Sequence, residues 1–181
     1  FSAEPIFSLH LFDGGTENMI ITDLLERNAK LYPDDVALVE INPANQPDIN
    51  LTWREYSLIE TAPGGKYRRE MTWREFDTKA NRFANLLKTR GVEKGDKVAI
   101  LLMNCLEWLA IYFGILKTGA LAVPMNYRYS ADEIKYCAEL ADVSVLVFGP
   151  EFTERVSTVF LDMPLVKDYF FVGKNPPEFA D

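Results

Sequence analysis

The stretch that decides the fold is MTWREFDTKANRFANLLKTRGVEKGDKVAILLMN, Met71 to Asn104. Thr72 followed three residues later by Glu75 is a capping box. The hydroxyl accepts from a free N–H of the first helical turn, and the carboxylate reaches back to the N–H of the cap. A helix therefore starts here. Phe76, Ala80, Phe83, Ala84 and Leu87 recur at helical spacing and form one apolar stripe, while Arg74, Lys79, Arg82, Asn85 and Lys88 take the remaining surface. Gly91 stands where a helix accepts a left-handed residue just past its end, and Lys88 and Arg90 set positive charge against the negative end of the dipole. Glu93-Lys94-Gly95-Asp96 is turn chemistry. Val98 to Met103 is then an unbroken apolar run, as expected of a strand covered on both faces, and such strands belong to parallel sheets. Helix, turn and buried strand are the opening of a βαβ succession.

Downstream the theme repeats. Cys105 to Lys117 is apolar nearly all round and reads as a core helix ended by Gly119, with Trp108, Tyr112 and Phe113 as packing residues. Ala120 to Val123 is a strand stopped by Pro124. Ser130 with Glu133 is a second capping box, opening a helix whose inner stripe is Ile134, Cys137, Ala138 and Leu140. Val143 to Phe148 is a strand, Glu151 to Phe160 a helix and Val166 to Val172 the last strand. The fold class is α/β, a doubly wound, mostly parallel sheet with right-handed crossovers. Lys174-Asn175-Pro176-Pro177 reads as the end of order.

Upstream, Leu24, Leu25, Ala29 and Leu31 mark a short helix with Thr22 as its cap and Pro33 as its stop, and Val36 to Ile41 is a strand. Residues 42–47 are loop. The β-formers from Ile49 to Ile59 and the turn Pro63-Gly64-Gly65 predict a β-hairpin insertion. Leu51-Thr52-Trp53-Arg54-Glu55-Tyr56 nearly duplicates Met71 to Phe76. The second copy is taken as the helix start, because the first runs into Ala62-Pro63-Gly64-Gly65. Residues 1–18, which hold the single histidine, His10, lack a period and read as an arm. The domain reading is 1–50 for arm, helix and first strand, 51–70 for the hairpin, 71–173 for the α/β subdomain and 174–181 for a linker toward a missing catalytic part. A first residue that is phenylalanine suits a piece of a longer chain.

Composition narrows the function. A chain of 181 residues at 48% hydrophobic fills a real core. The balance of 19 Lys+Arg against 27 Asp+Glu, net −8, argues against nucleic acid, since basic residues cluster only from Lys66 to Arg74, interrupted by Glu70. Cys105 and Cys137 form no CxxC, so neither a metal knuckle nor a disulfide framework is indicated, and a reducing cytoplasm is the natural compartment. The longest apolar segment, Cys105 to Leu116, is broken by Glu107 and Gly114 and falls short of the ~20 residues of a membrane span. Gly91-x-x-x-Gly95 and Gly64-Gly65-Lys66 are turns rather than phosphate cradles, and neither HExxH nor GxSxG is present. No catalytic residue and no metal ligand is assigned.

Thr72-Trp73-Arg74-Glu75-Phe76, Ala80-Asn81-Arg82-Phe83-Ala84, Leu87, Gly91-Val92, Lys94 to Ile100, Asn104, Glu107, Gly114, Lys117-Thr118-Gly119-Ala120 and Val123-Pro124-Met125-Asn126 resemble, in order and spacing, the N-terminal region of adenylate-forming (AMP-binding) enzymes. That superfamily holds acyl-CoA synthetases, luciferases and the adenylation domains of peptide synthetases. The match runs from Met71 to about Phe148, and Ile21 to Val39 also fits. After Val-Pro, peptide-synthetase domains usually continue with an acidic residue and proline, and acyl-CoA synthetases with asparagine. Here Asn126 precedes Tyr127-Arg128, so the chain is most similar to acyl-CoA synthetases and long-chain fatty acid–CoA ligases.

The resemblance implies a parent enzyme that uses ATP, Mg²⁺ and CoA: a carboxylate attacks the α-phosphate of ATP, and the CoA thiol then displaces AMP from the acyl adenylate. It implies Asn126, Tyr127, Arg128 and Arg155 as candidates for the wall of the CoA or acyl channel. The family's phosphate loop ending Pro-Lys-Gly, its adenine and ribose motifs and its C-terminal lysine are absent from the sequence, so the chain alone is expected to be inactive and to hold no cofactor tightly. The implied partners are the remainder of its own N-terminal domain and a C-terminal domain, with a homo-oligomer as a further possibility. A reading from another class stays open beside this one, a stand-alone doubly wound module that binds a partner without catalysis.

Overall fold

The computed structural model describes residues 20–41 and 68–181. The arm with His10, the copy at Leu51–Tyr56 and the hairpin as far as residue 67 lie outside the described residues. The end of the 51–70 segment is described, and there Arg68–Thr72 forms a strand, β2, antiparallel to β1, Val36–Ile41. The sequence RREMT carries little strand pattern, and its side chains join β1 by both charge and burial, Met71 being buried opposite Leu38. Arg69 stands opposite Glu40 in the register and meets it at 3.3 Å, and its other terminal nitrogen meets Glu107 at 3.1 Å.

β2 runs directly into α2, Trp73–Thr89, with Thr72 as the cap. The Thr72 N–H donates to Glu75 Oε2 at 2.9 Å and the Glu75 N–H donates to Thr72 Oγ1 at 3.3 Å. Thr72→Ala is expected to lose about 1 kcal/mol of stability, read as a lower urea midpoint at unchanged slope. Gly91, just beyond the helix, takes φ +80, the left-handed conformation its position requires. The first helix, α1, spans Ile21–Leu31 and corrects the expected cap. Thr22 is buried within the first turn, and the Ile20 N–H is instead satisfied by the Asp23 carboxylate at 3.1 Å.

The main sheet holds β3, Lys97–Leu101, β4, Leu121–Pro124, β5, Val143–Phe148, and β6, Asp168–Phe171, all parallel in the order β4-β3-β5-β6. Val98, Ile100, Val145 and Val147 point to one face and pack with Leu87 of α2 and with Ile111 and Ile115 of α3, Leu106–Thr118. Ala99, Leu101, Leu146 and Phe148 point to the other, against Ile134 and Ala138 of α4, Ala131–Leu140, and Val156 and Val159 of α5, Thr153–Val159. Helices therefore cover both faces, as the two-sided apolar strands require. α3 ends at Gly119, and α4 opens on the Ser130–Glu133 box. α2 and α3 touch closely where Gly114 faces the Ala80 carbonyl and the Phe83 ring. Lys117 reaches back from α3 to Glu26 on α1 and Asp77 on α2. No helix among the described residues is long and apolar enough to cross a membrane.

Order does not end at Lys174–Pro177. Phe179 stacks on Phe160 at 4.3 Å between centroids and meets Phe148 and Tyr169. Asp181 exchanges backbone hydrogen bonds with Tyr169 and Phe171 at the edge of β6 and pairs with Arg90. A turn closes just after the double proline, the Ala180 N–H donating to the Pro177 carbonyl at 3.0 Å, and the aromatic side chain of Phe179 fills a slot beside three other rings.

Candidate functional site

β3 connects through α3 to β4 on one side, and the chain then crosses to place β5 on the other side of β3. The order thus reverses between β3 and β5. In open α/β sheets, crevices that bind ligands form outside the carboxyl ends of strands at such a reversal. A cavity of about 490 Å³ lies there, walled by Leu102, Met103, Cys105, Gly149, Pro150 and Gly173. Four charged residues reach it: Arg69, Glu107, Glu151 and Lys174.

On its Arg69–Glu107 side the cleft is bordered by a closed network of charges. Glu107 receives Arg69 at 3.1 Å and Lys79 at 3.4 Å. Burial pushes its carboxyl up, but its own backbone N–H and the two cations outweigh that and hold it below the usual carboxylate range. Glu40 accepts from the Leu106 N–H at 2.9 Å, placing a negative charge at the start of α3. Cys105 is pushed up to about 11 by burial, with Glu107 adding to the rise, so the thiol stays protonated at neutral pH and is no nucleophile. No group of three acidic, cysteine or histidine side chains among the described residues could hold a metal ion. The cleft has the place of a binding site, and where Arg69 meets Glu107 it has the chemistry of a charge-neutralised joint.

The four residues selected from the sequence lie elsewhere, and they lie together, where β4 leaves the sheet. Met125 is buried and tied to the end of β3 by its N–H to the Ile100 carbonyl, 2.9 Å. Beyond it the chain turns. Asn126 Oδ1 accepts from the Arg128 N–H at 2.9 Å, and its carbonyl accepts from the Tyr129 N–H at 3.1 Å, an Asx-type turn. Arg128 Nε donates to the Tyr127 hydroxyl at 2.9 Å with its guanidinium 5.3 Å from that ring's centre. Arg155 comes from α5. Its Nη1 donates to the carbonyls of Tyr127, 2.9 Å, and Tyr129, 2.7 Å, its Nη2 to that of Glu151, 3.4 Å, and its plane lies over the buried Phe152 ring at 4.8 Å.

Asn126 is exposed and ties the loop to itself, Tyr127 and Arg128 are exposed, and Arg155 is half-buried with its donors turned to the main chain. The sequence marked the loop and missed the cleft, whose residues meet only once the strand order is known. Glu107 was visible as a matched family position, yet nothing local shows that Arg69 and Lys79 converge on it.

Comparison with known proteins fits this geometry. A family model described as AMP-binding enzyme matches residues 25–164. The chain is 37% identical over 152 residues to a medium/long-chain-fatty-acid–CoA/3-oxocholest-4-en-26-oate–CoA ligase of Mycobacterium marinum, covering 84% of this chain and 23% of that relative. It is 35% identical over 98 residues to a crotonobetaine/carnitine–CoA ligase of Citrobacter koseri, covering 54% and 19%. Among solved structures, an anthranilate CoA ligase in complex with anthranoyl-AMP matches with a TM-score of 0.69 at 28% identity, over 88% of this chain and 26% of that one. The chain spans about a quarter of the length of these proteins or less. Matched across most of its own length, with a doubly wound sheet common to the structural neighbours, the chain belongs to the AMP-binding enzyme family, on its acyl-CoA synthetase-like side.

Proposed function

We propose that this chain is the opening α/β part of an acyl-CoA synthetase acting in the cytoplasm on fatty or related carboxylic acids, with ATP and Mg²⁺ for activation and CoA as acceptor. Its share of the work is architectural. The described residues offer neither a phosphate loop nor a metal site, so no step on ATP is assigned to them. The remainder of the same domain and a C-terminal domain would supply the adenylating groups, and the chain alone would be inactive.

One observation carries the reading further than scaffold: the loop at Asn126–Arg128, matched in sequence to the acyl-CoA synthetase pattern, presents an ordered, outward guanidinium. Arg128 has its Nε and its N–H engaged, and no carboxylate among the described residues pairs with it. A planar fork with free terminal donors suits a phosphate, and CoA carries several. Asn126, Tyr127 and Arg128 would form part of the CoA-side wall.

The test compares the native full-length protein with the 181-residue chain in acid-dependent ATP–pyrophosphate exchange and acyl-CoA formation. The full-length protein is expected to turn over a medium- or long-chain fatty acid in both assays and the short chain in neither. Thioester formation by the short chain, or a full-length protein inert toward every carboxylic acid offered, would overturn the proposal.

A further inference from the structure

We infer that Arg155 is a positioning residue for CoA, acting through Arg128 rather than by touching the ligand. The inference rests on the reading that the Asn126–Arg128 loop faces CoA. It departs from the sequence expectation that placed Arg155 in the channel wall itself.

The geometry is specific about what Arg155 does. Its Nη1 binds the carbonyls of Tyr127 and Tyr129, the residues on either side of Arg128, at 2.9 and 2.7 Å. Asn126 Oδ1 holds the Arg128 N–H between them at 2.9 Å. The main chain around Arg128 is therefore clamped from two directions, by α5 and by the loop's own asparagine. The clamp is itself fixed: the Arg155 guanidinium lies over the fully buried Phe152 ring and closes on the Glu151 carbonyl.

The charge of Arg155 matters beyond its hydrogen bonds. All three hydrogen bonds from Arg155 go to neutral carbonyls, and none goes to a carboxylate among the described residues. No carboxylate among the described residues forms an ion pair with it, so its positive charge stands beside the loop together with that of Arg128. Glu133, at the start of α4, is engaged with Ser130. With Arg128 steered by the Tyr127 hydroxyl and ring, the fork is ordered before any ligand arrives, so binding spends little conformational freedom on it.

The experiment uses the intact enzyme and four variants: Arg155→Met, Arg155→Lys, Arg128→Ala and the double change Arg128→Ala with Arg155→Met. Pyrophosphate exchange, which needs no CoA, reports adenylation, and acyl-CoA formation gives KM for CoA. Arg155→Met is expected to raise KM for CoA about tenfold while exchange stays close to wild type. Arg155→Lys, which keeps the charge and some donors, recovers part of the loss. The double variant is expected to be no worse than Arg128→Ala, because the clamp has nothing left to position.

Multiplying effects in the double variant, or exchange and thioester formation falling together in Arg155→Met, would show a general structural role and overturn the inference. If Arg128→Ala raises KM and Arg155→Met does not, only the positioning role falls. An unchanged KM in Arg128→Ala removes the CoA-side reading of the loop, and the inference with it. Arg155→Lys guards against a methionine variant that fails to fold.

Discussion

Gly114→Leu is expected to destabilise the protein by about 3 kcal/mol, at the upper end of what overpacking costs. The glycine sits in α3 where it crosses α2, and even a methyl group there has no room. A Cβ would lie 2.9 Å from the Ala80 carbonyl oxygen, 3.0 Å from Phe83 Cδ1 and 3.1 Å from Phe83 Cβ. The phenylalanine ring has some freedom to turn aside. The Ala80 oxygen is backbone inside α2, and Ala80 itself is fully buried, so relief requires the two helices to separate. Gly114→Ala meets the same oxygen but gains about 1 kcal/mol of helix propensity, and its net loss is smaller. Urea denaturation of the three proteins checks the order: wild type highest, alanine intermediate, leucine lowest. A leucine variant with an unshifted midpoint would show that the helices are not in this contact.

The second large effect is electrostatic. The Lys117 side chain is only 8% exposed, with its Nζ 2.7 Å from Glu26 Oε1 and 3.1 Å from Asp77 Oδ1, so one ammonium joins three helices. Asp77 Oδ1 is buried and has no hydrogen-bond donor besides this ion pair. Lys117→Met fills similar volume but leaves two carboxylates facing each other. A fully buried pair broken in this way costs about 3–5 kcal/mol. Glu26, 47% exposed, retains water, which reduces the expected loss here to about 2 kcal/mol.

The pH dependence has a defined sign. Burial lowers the Lys117 pKa, but its hydrogen bonds and charge pairing with Glu26 and Asp77 outweigh that and raise it above the ordinary 10.5. The stabilisation it gives is complete below 10.5 and is lost as pH climbs through the raised value. The hydrogen bond and charge of Lys117 hold Glu26 below its ordinary 4.5, so its contribution is complete above 4.5 and is lost as pH falls through the lowered value. The gap between wild type and Lys117→Met is therefore widest between those limits and closes in acid. A gap that stays constant from pH 7 to pH 3 would assign the loss to packing.

These two sites show where sequence reading reached and where it stopped. Gly114 was visible as a break in an otherwise apolar helix, and that helix was correctly read as buried on several sides. That a glycine was needed there depends on which face of α2 lies across from it, which no local pattern encodes. Both capping boxes, the strand Val143 to Phe148 and Gly119 are governed by neighbours a few residues away, and the structure has them where the residues said, whereas Pro124, read as a strand stop, is the last paired residue of β4. β2 falls at the end of the expected hairpin, but its pairing with β1 went unseen, because Glu40 and the rest of that strand lie about thirty residues away in the chain. The docked Phe179 went unseen because two prolines mark a turn well and carry no information on where the chain goes after it. The loop of Asn126, Tyr127 and Arg128 and the helix of Arg155, named together through the family resemblance, are in contact in the structure. The direction of the Arg155 donors, toward carbonyls, needed coordinates.

The antiparallel ribbon has one more consequence. Ile41 and Arg68 are register partners, so the chain between residues 42 and 67 starts and finishes at a closed base. With the ends held together by the ribbon, the chain-entropy cost of changing the number of residues between them grows only with the logarithm of that number, about 0.6 kcal/mol for each doubling. Lengthening or shortening that stretch is therefore thermodynamically cheap, and related sequences are free to differ in size there while the sheet beneath keeps its register.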